Sequence, residues 1–287
     1  MQSKICNNKI RKLYRILYYQ LLKRHIFAIT GPLRVLPDFI VIGAVRSGTT
    51  SLFHYFGEHP CISPSSYDEL GFFDSNFELG LNWYRSNFPT RFHKQKIILK
   101  EGHFLTYDVT PFYIWNKEAA KRIATTLPNV KIIALLRNPI DRAYSNFQLS
   151  VRNGEKRSFE EMIKIEIQDI KSCENNNEIF LSKSAGLENF LVRGVYYEQL
   201  LIWFRLFSKD QILVMSTEEL EEQPDNTLNT MFRFLGVRNY TVKDLKKRNE
   251  IKYQPMKNET RVMLIEFFRK HNDKLFKLLN KQFDWNR

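Results

Sequence analysis

The stretch DFIVIGAVRSGTTSLF, Asp38 to Phe53, decides the fold. Its apolar run Phe39 to Ile42 reads as a short buried strand, Gly43 to Gly48 as a tight turn, and the residues from about Thr49 as the start of a helix. A turn of this kind binds oxyanions. The first amides of a helix lack intrahelical acceptors and carry positive partial charge, and glycine lets the backbone approach a bound group closely. A nucleoside triphosphatase would place lysine directly after the second glycine, in the order GxxxxGK[ST], to reach the β- and γ-phosphates. Thr49 stands there instead. The cation comes earlier, as Arg46, followed by the hydroxyls of Ser47, Thr49, Thr50 and Ser51. Such a loop suits one phosphate with a second anion beside it. Taken alone, the segment is also compatible with a plain glycine turn between strand and helix.

A second strand, turn and helix is written in KIIALLRNPIDRAYSNF, Lys131 to Phe147. Ile132 to Leu136 is a continuous apolar run, Asn138 is a suitable N-cap, and Pro139 fits the first helical position. Arg137 therefore emerges at the carboxyl end of a strand, where open α/β sheets bind ligands, and its guanidinium fork matches a phosphate. Singly, Arg137 could be a surface ion-pair partner and Ser145 a helix residue bonding its own backbone. Two such units, with their arginines about ninety residues apart, are much harder to obtain by accident.

The RSGTTSL turn resembles the 5′-phosphosulfate loop of sulfotransferases that use 3′-phosphoadenosine 5′-phosphosulfate (PAPS), many of which carry lysine where this chain has Arg46. The second unit resembles their 3′-phosphate motif, in which an arginine at the strand end and a serine on the next helix hold the 3′-phosphate; Arg137 and Ser145 match. Between them, YDELGFFDSNFELGLNWYRSNFP, Tyr67 to Pro89, resembles the acceptor-side region of carbohydrate sulfotransferases of the heparan-sulfate type, with their ExxFFD pattern at Glu69 to Asp74. The resemblance implies Glu69 as general base. Sulfuryl transfer needs one, because an alcohol is a poor nucleophile and a carboxylate within hydrogen-bond reach can take its proton during attack. Asp68 is the rival, and an acidic pair in a loop is commonly solvated surface. Two departures touch acceptor identity. Gly71 stands where heparan enzymes commonly carry histidine, and their EKTPxY motif appears as DVTPFY, Asp108 to Tyr113, with Val109 in the lysine position.

Further along, RGVYYEQLLIWFRLF, Arg193 to Phe207, resembles the family segment whose tyrosine lies near the nucleotide, which would make Tyr196 an adenine contact. Tyr196, Leu200, Trp203 and Phe207 also fall at helical spacing and would pack as a core stripe, so both roles stay open. Lys246 to Leu279 resembles the family's basic loop and terminal helix. Lys252 is the cation placed to meet the phosphates, with a solvated loop as the alternative for Lys246, Lys247 and Arg248. The closing Phe283 to Trp285 also matches heparan-type enzymes.

The resemblance thus implies a sulfotransferase of the EC 2.8.2 type that takes PAPS as donor, uses no metal, and acts on a hydroxyl or amine of a carbohydrate or glycoconjugate. Glu69 and Arg46 would be catalytic. Arg46, Ser47, Gly48, Thr49, Thr50, Ser51, Arg137, Ser145, Tyr196 and Lys252 would bind the donor.

Composition agrees with one enzyme-sized domain: 287 residues, 43% of them hydrophobic, can bury a large core. Strand-like runs at Phe39 to Ile42, Lys131 to Leu136 and Gln211 to Met215 alternate with helical patterns. They predict an α/β fold, a P-loop-like central parallel β-sheet flanked by α-helices. The polar run Lys171 to Lys183 reads as an exposed loop. Net charge is +13, and residues 1 to 37 hold eight Lys or Arg and no Asp or Glu. Residues 1–36 are accordingly read as a basic amphipathic segment ahead of a domain at 37–287. Residues 10–30 suit either peripheral membrane contact or packing on the enzyme's own body. They contain no apolar run long enough to span a bilayer. The membrane helix that anchors animal enzymes of this class is missing, so a cytoplasmic setting is expected, and nucleic acid is not expected as a partner. Cys6, Cys61 and Cys173 suggest neither a disulfide framework nor a zinc site, and His54 and His59 read as packing or surface groups. Two other classes compete. A P-loop kinase would need lysine at Thr49 and magnesium ligands; a polyanion-binding protein would explain the charge but not Arg137 and Ser145 beside a second loop.

Overall fold

A computed structural model describes residues 27–173 and 189–286. At its centre lies β1 (Phe39–Gly43), buried along its whole length. The strand is apolar throughout because helices cover both faces of the sheet, as parallel sheets require. Four further strands run parallel to it: β2 (Ile62–Pro64), β3 (Leu105–Val109), β4 (Lys131–Leu136) and β5 (Ile212–Ser216), in the order β2-β3-β1-β4-β5. In register, Ile40 stands between Asp108 of β3 and Ile132 of β4. The chain leaves β1 toward β2 and β3, then crosses to β4. The turns after β1 and β4 therefore diverge at their carboxyl ends, where α/β sheets open a crevice.

Alternate residues feed two cores. Phe39, Val41, Ile133 and Leu135 meet α1 (Thr49–Gly57) and the later helix Pro224–Leu235, while Ile40, Ile42, Ile132 and Ala134 meet helices Lys117–Thr126 and Tyr196–Leu206. Among the described residues the remaining α-helices, in chain order, are α2 (Leu81–Arg85), α3 (Arg91–Glu101), α4 (Lys117–Thr126), α5 (Pro139–Arg152), α6 (Phe159–Cys173), α7 (Tyr196–Leu206), α8 (Thr217–Glu222), α9 (Pro224–Leu235) and α10 (Asn258–Leu279). Each fully buried Ile, Val or Phe contributes roughly 1.5–3 kcal/mol, so a charge placed at Val41 would break the sheet at its middle strand.

The expected fold class is the observed one. Three strands correspond to the apolar runs, with β5 shifted so that Gln211 closes a preceding 3-10 turn. Strands β2 and β3 carry no comparable apolar run. Asn138 caps α5 by accepting a bond from the Ile140 amide, and Pro139 occupies the first turn. The polar run beginning at Lys171 is corrected in part: Lys171–Cys173 completes α6, whose apolar residues Phe159, Met162, Ile163 and Ile170 recur at helical spacing. Residues 174–188 lie outside the described residues, as does 1–26, including Cys6 and most of the amphipathic segment. The end of that segment, Phe27–Leu33, is a 3-10 helix, after which Arg34 bridges Thr90. No helix among the described residues is long and apolar enough to cross a membrane.

Candidate active site

The turn after β1 is shaped by two glycines. A Cβ on Gly43 would stand 2.7 Å from the Ile114 side chain, and Gly48 has φ +82°, a conformation that costs L side chains energy. Gly48 precedes α1 without a side-chain cap, so the helix begins with amide donors that its own residues do not satisfy. Arg46 is also left-handed, with φ 68°. Its Nε donates to Ser145 Oγ on α5 at 3.1 Å, while Arg137 Nη1 donates to the Arg46 carbonyl at 3.2 Å. The two turns are thereby cross-linked. Thr217 Oγ1 adds to this, lying 2.8 Å from the carbonyls of both Ser47 and Leu136. Ser47 itself is fully buried, and among the described residues its hydroxyl has no hydrogen-bond partner.

Burial, and then the nearby charge of Arg137, holds the Arg46 guanidinium below its ordinary value. Arginine keeps its charge regardless, so the two cations form a strained pair that a bound anion would relieve. Arg137 is fixed from behind: Tyr196 Oη donates to its carbonyl at 2.8 Å, and the next amide, of Asn138, donates to Glu218 Oε1 at 2.8 Å.

Over this cradle lies the segment after α9. Tyr55 Oη donates to the Leu245 carbonyl at 2.9 Å, the Arg248 amide to Ser51 Oγ at 2.8 Å, and Asn249 Nδ2 to Thr50 Oγ1 at 3.1 Å. Together these elements enclose a cleft of about 620 Å³ that Arg152, Lys247, Arg248 and Tyr253 also line, a volume typical of small-molecule sites.

Glu69 lines the same cleft. It sits on an irregular stretch after β2, with φ 57° and its amide donating to the Val109 carbonyl at 2.7 Å. Partial burial, and to a lesser degree Asp68 next door, raise its carboxyl above the ordinary value. Such a shift suits a group that must hold a proton briefly. Below it, Asp108 is completely buried, and Val109 turns its side chain into the core.

Residues 36–286 match the sulfotransferase domain family. The chain belongs to that family. This sulfotransferase is 30% identical, over 90% of its length, to the membrane-associated sulfotransferase kil1 of Dictyostelium discoideum, of which it covers 68%. It is also 30% identical, over 86% of its length, to the bifunctional heparan sulfate N-deacetylase/N-sulfotransferase 4 of Mus musculus, but spans only 30% of that protein. The solved sulfotransferase from Alicyclobacillus acidocaldarius matches 88% of this chain and 100% of its own, with a TM-score of 0.67 and 25% identity. The enzyme is accordingly a transferase of the EC 2.8.2 type.

Of the residues singled out in the sequence, Arg46, Gly48, Thr49, Thr50, Ser51, Glu69, Arg137 and Ser145 line one cleft, and Ser47 lies buried beneath it. Tyr196 does not reach the cleft lining: it is packed behind Arg137, beside Trp285 at 5.9 Å between ring centroids. Lys252 is exposed and outside the lining, whereas its neighbours Ile251 and Tyr253 belong to it. His59 is buried, with Nε2 3.0 Å from the Arg238 carbonyl. Among the described residues no group of three His, Cys, Asp or Glu stands together as metal ligands.

Sequence reading missed Arg152, although a signal was present. Ser145, Leu149 and Arg152 recur at i, i+4 and i+7 along α5 and all three line the cleft. Lys247 and Arg248, for which the sequence allows a solvated loop as the alternative to the family's basic loop, also reach it. Each is paired at the surface, Lys247 with Glu221 at 2.9 Å and Arg248 with Asp244 at 2.8 Å. Such exposed pairs contribute little, on the order of 1 kcal/mol or less, so either cation is readily released to a ligand.

Proposed function

We propose that this sulfotransferase takes PAPS as donor and transfers its sulfuryl group to a hydroxyl, or an amine, of a carbohydrate or glycoconjugate. The observation that carries the reading is the bond from Arg46 to Ser145, which joins the two turns into one cradle with two guanidiniums and an uncapped helix N-terminus. That donor set fits a ligand with two separated anionic ends. Arg137 and Ser145 would hold the 3′-phosphate and so distinguish the donor from ATP. Arg46 and the backbone from Ser47 to Ser51 would hold the 5′-phosphosulfate, with Tyr196 acting through Arg137 and Lys252 at the outer edge of the covering loop.

The donor supplies the sulfuryl group: a bond forms from acceptor oxygen to sulfur as the bond from sulfur to the bridging phosphate oxygen breaks. Glu69 accepts the acceptor's proton. Arg46 and the α1 amides neutralise the charge that grows on the bridging oxygen, the preorganised stabilisation expected to dominate such a transfer. Similarity to heparan sulfate N-sulfotransferases supports a carbohydrate acceptor. Gly71 and Val109 stand where heparan-type enzymes carry histidine and lysine, and Val109 is buried in the core, so the acceptor contacts of those two side chains are not carried over to this chain.

Calorimetric titration tests the donor site, with adenosine 3′,5′-bisphosphate in one arm and ATP with magnesium in the other. Tight binding of the bisphosphate alone is expected. Binding of ATP alone would make the protein a kinase, and binding of neither would leave a polyanion-binding role.

A peripheral membrane contact through residues 10–30, on an otherwise cytoplasmic enzyme, belongs to the same proposal. It is supported by eight cations without a carboxylate in residues 1 to 37. On this reading residues 1–36 are functionally separable from 37–287. Removing residues 1–30 should abolish binding to anionic vesicles and leave bisphosphate binding intact.

A further inference from the structure

We propose that Asp108 is the positioning residue for Glu69, acting through the hydroxyls of Thr110 and Tyr113 that anchor the segment carrying it. The inference rests on Glu69 as the base. Three alternate amides of that segment dock on the exit of β3: Glu69 on the Val109 carbonyl at 2.7 Å, Gly71 on Thr110 Oγ1 at 3.3 Å, and Phe73 on Tyr113 Oη at 3.2 Å. Two of the three acceptors are hydroxyls, which have one proton and two lone pairs each. Whether they accept an amide depends on where their own proton points.

Asp108 fixes that direction. Thr110 Oγ1 donates to Asp108 Oδ1 at 2.8 Å, and Tyr113 Oη donates to Oδ2 at 3.3 Å, where Tyr84 Oη of α2 also donates at 2.9 Å. An ionised carboxylate only accepts, so all three protons turn inward and the outer lone pairs of Thr110 and Tyr113 face the amides of Gly71 and Phe73. Burial raises the Asp108 carboxyl to about 6, against the three hydroxyl bonds that lower it and with the Asp74 charge adding to the rise, so it is ionised at neutral pH. Burial and the Asp108 charge hold both tyrosines well above their ordinary value, which keeps them donors.

The segment needs this anchoring. Glu69 and Gly71 have φ of 57° and 59°, a region that costs a non-glycine residue of the order of 1 kcal/mol and is kept only where the surroundings over-determine it. An amide in place of the Asp108 carboxylate would put a donor against Thr110 or the tyrosines. A hydroxyl would then turn its proton outward against a backbone N–H, and Glu69 would lose its fixed position. Displacements near 1 Å cost about 100-fold in rate.

Asp108→Asn tests the relay, with bisphosphate affinity, turnover and amide hydrogen exchange measured together. The expected result is a fall in kcat of about 100-fold, bisphosphate affinity within about twofold of the parent, and faster exchange at residues 69–73 with β1 unchanged. Thr110→Val and Tyr113→Phe each remove one arm of the relay and should give the same pattern at smaller size, which keeps the test available if the asparagine variant does not fold. Parental exchange at 69–73, parental kcat, or equal losses of kcat and nucleotide affinity would overturn the relay while Glu69→Gln stays inactive. Full turnover by Glu69→Gln would overturn the base assignment itself, and this inference with it.

Discussion

In one part of the cleft, Arg46 and Arg137 stand on turns that leave β1 and β4 directly, and the strands fix where each guanidinium starts. In the other, Glu69 stands on a stretch with no helix or strand of its own, tied down by side-chain hydroxyls and one carbonyl of the β3 exit. On the proposed reading the first part would meet its anion with charges and amides that are local in sequence. The second would meet its acceptor through a carboxylate whose place is proposed to depend on Asp108, thirty-nine residues later in the chain. Backbone groups must be satisfied somewhere, and the acceptor side satisfies them with groups whose polarity can be reversed by a single proton. On the proposed reading, then, the donor side starts from two strand ends, and the acceptor side is the half that a conservative substitution is expected to disorganise.

The sharpest way to separate the halves is Glu69→Gln. Loss of a general base costs about 10²–10⁴ in rate, so turnover should fall by that factor while calorimetry returns the parental bisphosphate affinity. Normal turnover would move the base to another group, Asp68 first. Arg137→Ala attacks the other half. Removing a charged hydrogen-bond donor costs about 1.5–3 kcal/mol, so bisphosphate affinity should fall by roughly 10- to 150-fold, while the exchange pattern at residues 69–73 stays parental. An altered exchange pattern there would show that the two parts are one mechanical unit.

A pH experiment sharpens the contrast further. Asp108 has its carboxyl raised to about 6 from 3.8, facing the hydroxyls of Tyr84, Thr110 and Tyr113 and the charge of Asp74. Between those values the unfolded chain has released a proton that the folded chain keeps. Folding stability from this group therefore falls as pH rises from about 4 to 6, and is level above that. Turnover should run the other way, rising over the same window as Asp108 ionises. Thermal unfolding of the parent and of Asp108→Asn across this range should converge in slope above pH 6 and differ below it. Parallel curves throughout would place the carboxyl at its ordinary value.

The same contrast explains what could be read from sequence. Strands β1, β4 and β5 are buried by hydrophobicity, so apolar runs marked them. Strand β3, LTYDV, is buried by pairing its polar groups: Thr106 Oγ1 donates to the Ser63 carbonyl at 2.7 Å, and Asp108 takes three hydroxyls. No apolar pattern announces such a strand, and β2, at three residues with a proline, is too short to show one. That Arg46, Arg137 and Ser145 share one cleft was legible because two strand–turn–helix units could be read locally. Asn249 and Arg248 were not, since their place over α1 comes from bonds to Thr50 and Ser51 across nearly two hundred residues of chain. Tyr196 was ambiguous for a physical reason: an aromatic at helical spacing packs well whether or not a ligand lies beyond it.

Tyr196 also supplies the smallest and last test of the comparison. Its ring is packed beside Trp285 and its hydroxyl, pushed up to about 12 by burial, donates to the Arg137 carbonyl. Tyr196→Phe keeps the ring and deletes that bond, leaving a buried carbonyl without its donor, at a cost of about 1–3 kcal/mol. If Tyr196 is a strut behind the donor side, the loss appears in thermal stability, as a few degrees in Tm, with bisphosphate affinity changed only severalfold because the β4 strand still fixes where Arg137 begins. If it were instead an adenine contact, affinity would fall while Tm held. The first outcome would show that the Tyr196 hydroxyl, like that of Thr217, braces the half that starts from the strands, and that the difference between the halves lies in whether such bonds support a strand exit or replace one.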